Sequence, residues 1–225
     1  MVKSALGHEV KNQLTGLTLL TSLIVGITTA HAAPPTAELK VKGKIGVPTC
    51  NINAPDSGVY DIGNISSTKI QSGTARTTLP EITKNWVISC DSVTFLTVKS
   101  IDNRLGSSSA TSGSGHYGLG MINGTGKIGY YTVLMSNAQV DGSPSSLFYT
   151  TEPTFIVRSE TALYNGEKGY RQGWASADNI LKAGKVFSAD FTVKPFLAGT
   201  DTMNGPVTEE TKVDGSLTMN FAFGI

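Results

Sequence analysis

The chain closes on DGSLTMNFAFGI (residues 214–225). Leu217, Met219, Phe221, Phe223 and Ile225 alternate with Ser216, Thr218, Asn220, Ala222 and Gly224, directly after the turn signal Asp214-Gly215. That period of two predicts a β-strand with one apolar face. Such a strand needs neighbours on its hydrogen-bonding edges, and left unpaired it is an aggregation hazard. Near the other end, PPTAELKVKGKIGV (residues 34–47) repeats the pattern. Ala37, Leu39, Val41, Gly43, Ile45 and Val47 share one face, and Glu38, Lys40, Lys42 and Lys44 share the other. Pro34 and Pro35 keep the entry extended. Two alternating segments near the ends suit strand exchange between chains, and they equally suit pairing inside one domain.

Between them lie further β-prone runs at 86–90, 93–98, 127–135, 154–158 and 186–193, each bounded by Gly, Pro, Asn, Asp or Ser. Only 161–164 and 175–183 suggest short helical turns, and no βαβ alternation is present. The spacing predicts an all-β, antiparallel sandwich built as a single domain. Composition agrees. Charged residues are 16% of the 225-residue chain, 39% are hydrophobic and 25 are glycine. A net charge of +1 supplies no field to gather phosphates, which argues against nucleic acid as a partner. The Gly/Ser-rich stretch 106–115 is expected to be a mobile surface loop.

Lys3 and Lys11 flank a polar start, an apolar stretch runs from Leu14 to Ile27, and Ala30-His31-Ala32 supplies small residues where a signal peptidase reads. Residues 1–32 are therefore expected to be a cleaved export signal, whose removal leaves a formally neutral chain. In an oxidising compartment the two cysteines, Cys50 and Cys90, most simply pair with each other, the alternative being two separate free thiols.

Catalytic chemistry is sparse. His8 and His31 leave with the signal, so His116 is the single imidazole of the exported chain. It is read as an ordinary loop or strand-edge residue. A His-rich metal site cannot be assembled, and no cofactor, metal or enzyme activity is expected. Gly124-Thr125-Gly126-Lys127-Ile128-Gly129 matches GxGxxG, but a dinucleotide site needs a helix after it, and Tyr130-Tyr131-Thr132-Val133-Leu134 is β-prone. A glycine turn entering a strand is the expectation. Trp174, Tyr117, Tyr164 and Tyr170 are considered as stacking faces of a ligand- or carbohydrate-binding adhesin, against the commoner role of core filling.

The set resembles a family. The alternating run leading to Cys50, the second cysteine closing Trp86-Val87-Ile88-Ser89-Cys90 and the aromatic-bearing final strand are similar to bacterial fimbrial subunits of the chaperone-usher pathway. Val47-Pro48-Thr49-Cys50, Asp61-Ile62-Gly63-Asn64-Ile65, Asp102-Asn103-Arg104, Tyr117-Gly118-Leu119-Gly120 and Lys127-Ile128-Gly129-Tyr130-Tyr131 resemble a fimbrial-like branch of it. The resemblance implies an incomplete immunoglobulin-like, pilin-type sandwich spanning 43–225, preceded by a donor extension at 33–42 and completed by donor-strand complementation. It implies a periplasmic chaperone, an outer-membrane usher and neighbouring fimbrial subunits as partners, and a place in a surface fibre serving cell adhesion. Ala37, Leu39 and Val41 would be donor side chains, with Gly43 and Ile45 either extending the donor or opening the first strand of the domain. Leu217, Met219, Phe221 and Phe223 would line the acceptor edge. Gly224 stands where such subunits usually carry a penultimate tyrosine.

Overall fold

The computed structural model describes residues 34–224, so the export signal read at 1–32 lies outside the described residues, as do Ala33 and Ile225. The chain divides into two units, the second beginning at Ile45. In the first, 34–44 is extended, exposed and without strand pairing. The second is all-β. Its strands are β1 (Cys50–Asn53), β2 (Thr77–Thr78), β3 (Ile82–Thr94), β4 (Leu96–Asp102) and β5 (Tyr117–Gly118). Next come β6 (Met121–Ile122), β7 (Gly126–Lys127), β8 (Gly129–Val140), β9 (Ser143–Pro144) and β10 (Ser146–Thr150). The last are β11 (Thr161–Ala162), β12 (Arg171–Ala177), β13 (Ile180–Leu181), β14 (Gly184–Leu197) and β15 (Leu217–Phe223). Three short 3-10 turns complete the inventory of the described residues, and no α-helix occurs among them.

The larger sheet is ordered β1-β3-β14-β8-β11 and the smaller β10-β12-β4-β15, with antiparallel neighbours throughout. The two enclose a common apolar core, a sandwich-like arrangement. Ile88, Phe187 and Phe191 come from one sheet, and Val98, Leu147 and Trp174 from the other. Trp174 joins the layers, its ring edge-on to Phe187 at 5.4 Å and its Nε1–H donating to the Ser188 carbonyl at 3.0 Å. Phe95 is the one residue between β3 and β4, so the chain passes from sheet to sheet at that corner.

Cys50 and Cys90 lie directly opposite each other in the β1/β3 ladder and are joined by a disulfide. The cross-link closes a 40-residue separation. In the loop-entropy model that contributes about 4 kcal/mol. It ties down β1, a four-residue strand at the sheet margin.

Several expectations need correction. The alternating run 37–47 forms no strand, because pairing rather than pattern makes a strand, and no partner strand is offered to it among the described residues. The domain's first strand opens at Cys50, so Gly43 and Ile45 do not begin it. Residues 154–158 are also not a strand. The Phe155 and Val157 N–H groups donate to Asn179 Oδ1 and Asp178 Oδ1, side-chain acceptors that replace a ladder. Phe155 instead stacks on Phe148 at 4.0 Å in a small second core on the outer face. No helical turn forms at 161–164 or 175–183, where short strands and a tight turn stand instead. Thr161 and Ala162 pair with Met135 and Leu134, and 175–183 is the end of β12 turning through Asp178 and Asn179 into β13. Asn179 has the left-handed φ of 59° that such a tight turn needs. The 106–115 loop is irregular but tethered, since buried Ser107 donates from its hydroxyl to the Arg104 carbonyl and accepts from Gly120 N–H.

Of the GxGxxG glycines, Gly124 takes the left-handed φ of a turn, and Gly126 and Gly129 serve close backbone approach. A Cβ on Gly126 would lie 2.1 Å from the Met203 carbonyl oxygen, and one on Gly129 2.0 Å from that of Phe196. Strand β8 follows, as expected for a glycine turn, so a strand and not a helix N-terminus stands after the motif.

Candidate functional site

Strand β15 pairs with β4 through seven residues, Leu217 opposite Asp102 and Phe223 opposite Leu96. Among the described residues no strand pairs with its second edge. Leu217, Met219, Phe221 and Phe223 share the register positions of buried Asp102, Ser100, Val98 and Leu96, so they face the core side. Yet the first three are only half-buried and Phe223 is exposed. Apolar side chains turned inward but incompletely covered mark a place where the sandwich is open.

A groove of about 1310 Å³ occupies that place. Trp86, Tyr131, Val133, Phe191, Val193 and Leu197 of the larger sheet line it. Residues 58–65 and 207–216 also line it, together with Leu217 and Met219 of β15. Neither of these stretches carries strand pairing, which leaves the lining without a closing ladder.

Each side is fastened from within the domain. Tyr60 donates its hydroxyl to the Phe191 carbonyl at 3.1 Å and accepts from Trp86 Nε1–H at 3.1 Å. Burial pushes that hydroxyl up to about 12, against the Trp86 hydrogen bond. Across the groove, Arg104 donates from Nε to the Asp214 carbonyl at 3.1 Å and pairs with the Asp214 carboxylate. Asp214 N–H donates to the Leu119 carbonyl. The hydrogen bond from Arg104 holds the Asp214 carboxyl below the usual carboxylate range. Burial raises the Tyr131 hydroxyl in the groove and that of Tyr117 behind it. A groove with an apolar floor, tyrosine hydroxyls that keep their protons and a free backbone edge beside it is suited to taking up an extended segment with apolar side chains, with hydrogen bonds for adhesion and side-chain pockets for register.

The extension has the complementary character. Leu39 and Val41 are 86% and 89% exposed, and Ala37, Gly43 and Ile45 are exposed with them.

Other predicted residues lie elsewhere. His116 Nδ1 is 2.5 Å from the Ser112 carbonyl and its ring leans on Tyr130 at 4.7 Å, away from the groove lining. No group of three His, Cys, Asp or Glu side chains able to hold a metal occurs among the described residues. Trp174 and Tyr117 are fully buried core residues and not stacking faces. Tyr164 and Tyr170 are half-buried and pack with Tyr149 at 4.6–6.3 Å, Arg158 lying over the Tyr149 ring at 5.0 Å.

The 58–65 and 207–216 stretches went unrecognised as groove lining. Tyr60 and Ile62 stand at alternate positions before Gly63, and Val207 and Val213 are isolated apolar residues in a polar stretch. The first is a faint strand signal, the second none. No protein-family model matches the chain, and no curated protein matches it.

Proposed function

We propose that the protein is a structural subunit of a pilus-like surface fibre, an immunoglobulin-like sandwich completed by a strand from another chain. The open groove beside the unpaired edge of β15 carries this reading, supported by the exposed alternating extension. On it, the protein is exported, held in the periplasm by a chaperone that fills the groove, passed to an outer-membrane usher and joined to neighbouring subunits at the cell surface. Deleting residues 33–42 tests it. The shortened chain should accept a strand from an intact neighbour while failing to donate one, giving mixed pairs and no longer oligomers by size-exclusion chromatography. Equal assembly by both forms would remove the donor role.

A ligand-binding adhesin is the second reading, favoured by the half-exposed Tyr149, Tyr164 and Tyr170 cluster with its overlying Arg158.

A further inference from the structure

The groove is not electrically neutral at its rim. Asp61 stands in one lining stretch and Glu209 and Glu210 in the other, all exposed. None of the three belongs to an ion pair among the described residues. Asp214 is already taken by Arg104, and Lys212 is the one lysine in the lining. The rim therefore carries unmatched negative charge around an apolar interior.

The extension carries the opposite sign in a matching arrangement. With Leu39 and Val41 turned into an apolar groove, strand alternation turns Lys40, Lys42 and Lys44 outward, where their flexible stems reach sideways to a rim. Glu38 is the one opposing charge, and its 3.0 Å contact with Lys40 is between two exposed side chains, a pair easily exchanged. Apolar pockets alone discriminate weakly among aliphatic side chains, whereas a like-charged strand brought to this rim is repelled.

We infer that the groove's preferred occupant is the lysine-bearing extension of a second copy of this chain, selected by the carboxylates of Asp61, Glu209 and Glu210. This rests on the strand-accepting reading of the groove. Every chain then carries both the acidic rim and the basic strand, a head-to-tail contact that each added copy can repeat.

The test measures binding of three synthetic peptides to the purified chain by fluorescence anisotropy, alongside sedimentation of the chain over a range of concentrations. One peptide copies residues 34–47, the second carries Lys40→Gln, Lys42→Gln and Lys44→Gln, and the third has glutamate at the same three places. The native peptide should bind about tenfold more tightly than the glutamine peptide at low salt, with the gap closing at about 0.5 M salt. A chain with Glu209→Lys and Glu210→Lys, both in an exposed loop, should prefer the glutamate peptide instead. Sedimentation should show growth with concentration. Equal binding of all three peptides overturns the charge selection and leaves the strand-accepting groove standing. Preference for the native peptide by a chain that stays monomeric at every concentration overturns the second copy as partner. Refusal of every peptide overturns both this inference and the proposed function.

Discussion

Tyr117 and Tyr131 sit side by side between the sheets, their rings 5.4 Å apart, and the Tyr117 hydroxyl meets Ser100 Oγ at 2.8 Å. Burial raises both hydroxyls, so each holds its proton more tightly in the folded chain than in the unfolded one, where tyrosine titrates near pH 10. Their contribution is intact below about pH 10 and is lost as pH rises toward the folded values. Urea unfolding between pH 8 and 11 should show stability falling steeply above about pH 10, and Tyr131→Phe should flatten that fall. At this scale the sequence was partly legible. Pairing of Cys50 with Cys90 was the simpler of the two readings open for a chain with two cysteines, and the disulfide is present. Trp174 and Tyr117 were harder, because an aromatic residue in a short strand shows its face only once its neighbours are known.

Among the elements, β8 depends on the glycines that lead into it. Gly129 leaves no room for a Cβ beside the Phe196 carbonyl, whereas Gly124, at φ 79°, opens on empty space. Gly129→Ala must push two paired strands apart and should cost about 3 kcal/mol or more, while Gly124→Ala should cost about 1 kcal/mol from its backbone conformation alone. Thermal unfolding of the two variants decides it. Similar losses at both sites would mean that conformation, not close approach, is what the glycines provide. Strands β14 and β15 were legible because their residues alternate or run continuously between clear turn signals, whereas the run read at 93–98 straddles the corner at Phe95, its first two residues closing β3. The 154–158 segment was not legible, since its Phe155 and Val157 N–H groups are satisfied by Asn179 and Asp178 side chains that no local pattern announces, and only Arg158 meets a strand, bridging to Leu147. The run 37–47 has the pattern without a ladder.

The whole molecule is held together by pairings distant in sequence. Strand β4 waits for β15, whose residues lie over a hundred positions later, and β3 pairs with β14 across a similar gap. Closing such loops precedes any reward from the contacts. Refolding of the disulfide-intact chain, followed by tryptophan fluorescence after dilution from denaturant, should therefore take milliseconds to seconds. A microsecond phase carrying the full amplitude would contradict this topology. The all-β class and antiparallel character could be read from turns and alternation, but the number of strands and the open side of the sandwich could not. The open side depends on which edges remain unpaired after every strand has found its place.

Gly224 follows β15 with φ 76°, its N–H donating to the Phe95 carbonyl and its own carbonyl accepting from the Thr97 hydroxyl. The backbone is thereby bent off the line of the strand and pinned at the corner where the two sheets meet. A ribbon laid along β15 finds a ladder seven residues long with a fixed stop. The edge behaves as a ruler and not as a rail, setting how many residues of an added ribbon can pair with it before the bend.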